Sequence, residues 1–237
     1  MNAIWKELLG ASLIESVYMA LLKAFGSQDP CGVDATPRWS WQCSLSFQLF
    51  FFPLLCYLAW KEDGELPLDA WLVLPWPADV PHTEARPGIR MFLAAFVGYM
   101  VKDMWPFLLK IGLMYWLHHF VSLFLCFCFL FGDLPPALFV LGAMLAEFGS
   151  AFMNMHAMGW WKEYRYARVA LLGMTLSNLG TCYMMYPLNT HPQMAPYVTM
   201  RWSINVVITA LCAERQRFAY NTYLTDEKKF RKAHKKA

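Results

Sequence analysis

Apolar residues along this chain come in blocks separated by short polar breaks. Seven blocks can be drawn, at roughly 8–25, 43–60, 90–108, 114–131, 135–158, 167–187 and 197–214. Each is close to the ~20 residues that an α-helix needs to cross a bilayer. In lipid the backbone must satisfy its own hydrogen bonds, so blocks of this length predict helices. The pattern predicts an all-α, polytopic transmembrane helical bundle of about seven spans, six core helices plus an N-terminal one. Glu15 interrupts the first block, and the last has a clean apolar core only over residues 206–211. If the first block lies at the interface instead, the count falls to six. Pro53, Pro106 and Pro187 fall inside or near the ends of spans, where membrane helices tolerate proline.

The breaks between blocks carry a charge pattern. The C-terminal stretch from Lys228 to Lys236 is densely basic, which places it on the cytosolic side beside anionic headgroups. Seven spans then put the N-terminus outside. The connection 159–166, with Lys162 and Arg165, faces in, as does Lys110, and Arg168 follows just beyond. The acidic, proline-rich connection 61–89 faces out, as do the turns at Gly132-Asp133 and at 189–192. Within 61–89, Trp71 and Trp76 sit among prolines in a segment too short to span. That predicts a stretch lying at headgroup level, with a lid over a lateral opening as the alternative.

Composition agrees with this picture. Of 237 residues, 58% are apolar and 16% charged, against ~25% charged in soluble domains. A soluble α domain with a greasy core is the alternative, and the block lengths argue against it. The formal net charge of +3 is concentrated in the short tail, so nucleic acid is not an expected partner. Seven cysteines show no metal or disulfide pattern. Cys126 and Cys128 read as buried thiols, and Cys31 with Cys43 would pair only in an oxidising lumen. The first block carries Glu15 and Lys23 and lacks a small-residue cleavage site, so no cleavable signal peptide is expected.

Ionisable residues at membrane depth are costly and mark function. Asp103 follows Tyr99 near the end of the third block. His118 and His119 open the fourth, and Glu147 sits inside the fifth. Glu147, Ser150 and Asn154 are spaced i, i+3, i+7 and share one helix face, which predicts that this small polar face points into the bundle. Adjacent histidines on a helix point about 100° apart, so one is expected inside and the other in a helix–helix seam. A His–carboxylate pair is suited to general-base work, and a histidine can carry an acyl group transiently. The alternative is interhelical hydrogen bonding that locks the bundle. The HH spacing is not the i, i+4 spacing of helical zinc sites, and no metal or other cofactor is expected.

This ordered set resembles the TLC domain, named for TRAM, LAG and CLN proteins. That domain shows an aspartate near the end of an early span, a histidine pair opening the next, and a Glu-x-x-Ser-x-x-Phe-x-Asn-like segment. Asp103, His118-His119, Glu147, Ser150 and Asn154 match, with Phe152 one position early. The resemblance covers roughly residues 45–215. It divides the chain into an N-terminal helix and loop (1–42), a TLC-like domain (43–215) and a basic tail (216–237). The family includes ceramide synthases, which join a fatty acyl-CoA to a sphingoid base. Their second His-Asp pair and following Asp have no counterpart here, and no homeobox-like segment precedes the domain. The resemblance therefore implies the smaller branch tied to membrane lipid composition. Its expected partners are membrane lipids, with His118, His119 and Asp103 catalytic if the protein is an enzyme, and Tyr99, Glu147, Ser150 and Asn154 contacting lipid. The alternatives are an acyl-CoA-dependent N-acyltransferase, with acyl-CoA as co-substrate, and a cargo receptor or transporter, although no internal repeat of broken helices supports transport. The expected location is the endoplasmic reticulum, with the plasma membrane as alternative. Homo-oligomerisation is left open.

Overall fold

The structure is a computed structural model that describes residues 3–31, 36–82, 84–104, 113–159 and 164–234. Pro106, Lys110, Lys162 and the tail residues Lys235 and Lys236, which entered the charge and span arguments, lie outside them. Among the described residues ten α-helices follow one another: α1 (Ala3–Phe25), α2 (Arg38–Ser46), α3 (Phe52–Glu62), α4 (Leu68–Leu72), α5 (Pro87–Met104), α6 (Leu113–Phe131), α7 (Pro136–Ala157), α8 (Tyr164–Tyr183), α9 (Met185–Thr190) and α10 (Val198–His234). The only strands among the described residues are the two-residue pair Pro30–Cys31 and Thr36–Pro37. The fold is all-α, and a helix occupies each of the seven apolar blocks. Three helical segments are long and apolar enough to cross a membrane: Ile4–Phe25, Arg38–Glu62 and Pro136–Ala157. A fourth, Trp116–Phe131, is apolar and shorter.

Arg38–Glu62 is one rod. α2 passes into α3 through a π-helical turn at Phe47–Phe51, without a break in helical dihedrals at Ser46 or Phe52. Neighbouring helices close a ring: α3 packs on α5, α5 on α6, α6 on α10, α10 on α8, α8 on α7, and α7 back on α3. α1 lies outside this ring against α5 and α2. Small buried residues on α5, Ala94, Ala95 and Gly98, let helices approach closely, as membrane interfaces require. Polar ties join α1 to its neighbours. Arg90 donates to Glu7 at 2.8 and 3.1 Å, and Tyr18 Oη donates to Ser46 Oγ at 2.8 Å.

The exterior carries extended apolar faces. On α6, Leu117, Phe120, Phe124, Phe127 and Phe131 are exposed at alternating spacings of three and four, one continuous stripe. α1 exposes Leu9, Leu13, Val17 and Leu21 at a spacing of four, and α8 exposes Leu172, Leu176 and Leu179. Apolar faces of this extent exceed the patches that soluble monomers leave open to water. Faces of this kind are compatible with a membrane protein.

The connection after α3 differs from the headgroup-level segment expected of it. Trp71 and Trp76 are 1% and 5% exposed, packed in protein rather than at an interface. Trp71 Nε1 donates to Asp63 Oδ2 at 2.7 Å, and Trp76 Nε1 to the carbonyl of Phe129 at 3.0 Å. Arg86 pairs with Asp63 and donates to the carbonyl of Leu74 at 2.9 Å. Indole N–H groups can be buried only with acceptors, and the acidic residues of this connection supply one. Two tryptophans among prolines suggested the interface, but their indole N–H groups find acceptors within the fold.

Candidate functional site

Two polar clusters and one cavity lie inside the ring. The first cluster is centred on a residue that the polar-position argument passed over. Gln48, in the π-turn, is 2% exposed. Its Nε2 donates to Glu147 Oε2 and to Tyr99 Oη, each at 2.9 Å. Its Oε1 accepts from Asn154 Nδ2 at 2.8 Å, and Tyr99 Oη donates onward to Glu147 Oε2 at 3.2 Å. One amide thereby binds three of the four residues assigned to lipid contact. Glu147 and Asn154 share a face of α7, as their spacing predicted, and that face meets the rod.

The fourth, Ser150, stands in a different set of contacts. It accepts from Arg215 Nη2 of α10 at 3.4 Å. The same nitrogen donates to the carbonyl of Ala146, and to Ser177 Oγ at 3.4 Å. Arg215 was counted at sequence level as the end of a span beside a basic tail. Nothing in the run Glu214-Arg215-Gln216-Arg217 separates the inward residue from the outward ones except helical phase. Glu214 and Arg217 pair with each other at 2.6 Å on the outside.

The second cluster contains the expected catalytic candidates Asp103 and His119. His119 is buried, with Nε2 3.9 Å from Asp103 Oδ2. Asp103 also pairs with Lys102 and accepts from Ser44 Oγ at 3.4 Å. Lys102 Nζ donates to Ser44 Oγ at 3.1 Å and lies 4.8 Å from the Tyr99 ring centroid. Lys102 thus supplies the positive charge that a buried Asp103 needs, and His119 is the second group facing it.

Beside this cluster, Glu15 reaches in from α1. It is 4% exposed, its carboxylate lies against Gly98, and neither oxygen has a hydrogen-bond partner among the described residues. The residue that interrupted the first apolar block therefore faces protein, not lipid. Among the described residues, no three His, Cys, Asp or Glu side chains are grouped to hold a metal ion.

The histidines divide their roles. His118 and His119 rings stand at 89°, centroids 5.3 Å apart. His119 turns toward Asp103, while His118 lines the cavity. That cavity lies between α5, α6, α7, α8, α9 and α10, and its volume is about 90 Å³. Phe96, Leu125, Phe129, Leu138, Phe139, Ile204 and Ile208 are among the apolar residues of its wall, and His118, Glu147 and Arg215 also line it. An apolar cavity with a few convergent polar groups has the make-up of a ligand site. Comparisons with family models, with curated proteins and with solved structures find no match to this chain.

Proposed function

We propose that this chain is an integral membrane protein of the TLC kind that holds an amphiphilic lipid inside its helix ring and acts in membrane lipid homeostasis. The observation that carries this reading is the cavity's make-up: an apolar space of about 90 Å³ with His118, Glu147 and Arg215 on its wall. Its apolar wall suits part of an acyl chain, and the three ionisable groups suit a headgroup. In this reading all seven helical segments span the bilayer, with the basic end of α10 cytosolic, in the endoplasmic reticulum. The apolar stripes on α1, α6 and α8 support lipid on the outside of the ring.

The test is lipid retention. Gly142 lines the cavity, and a side chain there would first meet only Met184 Cγ, at 3.9 Å. A Gly142→Trp side chain would fill the space. Wild type purified in detergent is expected to carry a bound amphiphile, identified by mass spectrometry of the extract, and Gly142→Trp to lose it. Equal lipid content in two equally folded proteins would refute the reading.

A second reading, an acyl-CoA-dependent lipid N-acyltransferase, is favoured by one detail: His118 lines the cavity while His119 stands behind it against Asp103. His118 would take a proton from an amine as the nitrogen attacks a thioester carbonyl and the thiolate leaves. Cellular lipid profiles unchanged by His118→Ala, at normal expression, would remove this reading and leave the first intact.

A further inference from the structure

We infer that the polar groups of this cavity form an anion pocket centred on Arg215, so that the amphiphile it takes bears a carboxylate or a phosphate at its head. The inference rests on the cavity being a lipid site. Arg215 reaches in from α10, and one of its nitrogens is already fixed. Nη2 donates to the Ala146 carbonyl and lies within reach of Ser150 Oγ and Ser177 Oγ. These contacts aim the guanidinium without neutralising it, because all three acceptors are uncharged.

Room for this arrangement comes from Gly149. A Cβ there would collide with the Ser177 side chain and come within 3.1 Å of Arg215 Nη2. The absence of a side chain at this turn of α7 is what allows α8 and the guanidinium to meet it.

The rest of the guanidinium is uncommitted. A guanidinium has five N–H donors and stays charged at any accessible pH. Nη2 accounts for two of them. Nε and Nη1, with three more, make no hydrogen bond among the described residues, and neither nitrogen is sealed in. Arg215 makes no ion pair among the described residues. The acidic group on the same wall, Glu147, is held by donors of its own, Gln48 and Tyr99. A guanidinium on an apolar cavity wall, with open N–H groups and with its nearest counter-charge, Glu147, beyond ion-pair distance and already holding two donors, is complemented by an anion delivered with the ligand. A cationic head would have only Glu147 to meet and would face Arg215 unshielded.

The experiment compares four probes with one C16 chain: palmitate, a lysophosphatidate, hexadecylamine and hexadecanol. Each is titrated against the full-length protein in nanodiscs, wild type and Arg215→Gln, with Gly142→Trp as the blocked-cavity control. One or both anionic probes are expected to bind at least about tenfold tighter than the alcohol and the amine, with the tighter of the two identifying carboxylate or phosphate as the head. Arg215→Gln is expected to remove that preference while leaving the alcohol's affinity unchanged. Equal binding of all four probes, abolished by Gly142→Trp, would overturn the anion pocket and keep the lipid cavity. Tighter binding of the amine would overturn it in favour of Glu147. If no probe binds wild type, the lipid cavity fails and the inference falls with it.

Discussion

Gln48 donates to Glu147 at 2.9 Å, joining two side chains 99 positions apart in the chain. Both are buried, and the same amide accepts from Asn154. The contact fastens the rod to α7 at the depth where Glu147 would otherwise stand alone in apolar surroundings.

Replacing that amide should be costly. Gln48→Leu keeps approximate size but leaves Glu147, Tyr99 and Asn154 short of partners. A loss of ~1–3 kcal/mol is expected, read as a lower midpoint of thermal unfolding in detergent. Gln48→Glu should be worse, because it sets a second carboxylate against Glu147. A Gln48→Glu protein as stable as Gln48→Leu would show that the network carries no charge-dependent energy.

Gly98 and Glu15 form a testable pair across α1 and α5. A Cβ at residue 98 would run into the Glu15 carboxylate. Gly98→Ala is expected to loosen α1 by ~1–3 kcal/mol through overpacking. Glu15→Ala in the same chain should restore most of it. The double-mutant cycle is then strongly non-additive, whereas independent effects that simply sum would mean that the two do not meet.

Asp63 holds the connection between α3 and α5. Its carboxylate pairs with Arg86 and accepts from Trp71 Nε1, and the Asp63 and Arg86 side chains are 8% and 5% exposed. Asp63→Ala leaves a buried guanidinium without its counter-charge, a change that costs about 3–5 kcal/mol in comparable sites. Residues 63–86 should become open to limited proteolysis while the helices resist. Unchanged cleavage kinetics would argue against the pair as the latch.

The two histidines should separate by assay. His119→Leu removes a group facing Asp103 in a buried cluster, so it should lower the unfolding midpoint. His118→Ala, on the cavity wall, should leave the midpoint nearly unchanged and alter lipid retention. The reverse pattern would exchange their roles.

Much of this was legible in the sequence. Block lengths located the major helices, and the i, i+7 spacing put Glu147 and Asn154 on the face that meets the rod, while Ser150 turns to Arg215. Perpendicular histidines follow from helical geometry, and only the choice of which meets Asp103 needed the structure. What stayed hidden has a common cause. Gln48 is uncharged and sits in an aromatic run, so no charge argument selects it. Arg215 lies in a run whose members differ only in helical phase. Glu15 was visible as an interruption, but its partner surface, a glycine on α5, carries no sequence signal. Trp71 and Trp76 read as interfacial because their acceptors, an aspartate and a backbone carbonyl, become neighbours only through the fold.

The π-turn at Phe47–Phe51 has a consequence for phase. Ser44, Gln48, Phe52 and Cys56 are all buried and recur every fourth residue. On a regular α-helix each such step drifts by about 40°, so three steps would carry Cys56 ~120° away from Ser44. A turn closed i→i+5 takes one extra residue and sets the phase back by ~100°. The stripe therefore stays on one side of the rod. Deleting one residue from 47–51 would let the rod become a regular α-helix with the Ser44 and Phe52 ends still in phase, whereas keeping all five residues in a regular α-helix would turn the Ser44 end ~100° away from the Phe52 end. The insertion is a phase correction, and the chain's ability to bring a polar cluster and an apolar seam to the same side of one helix depends on it.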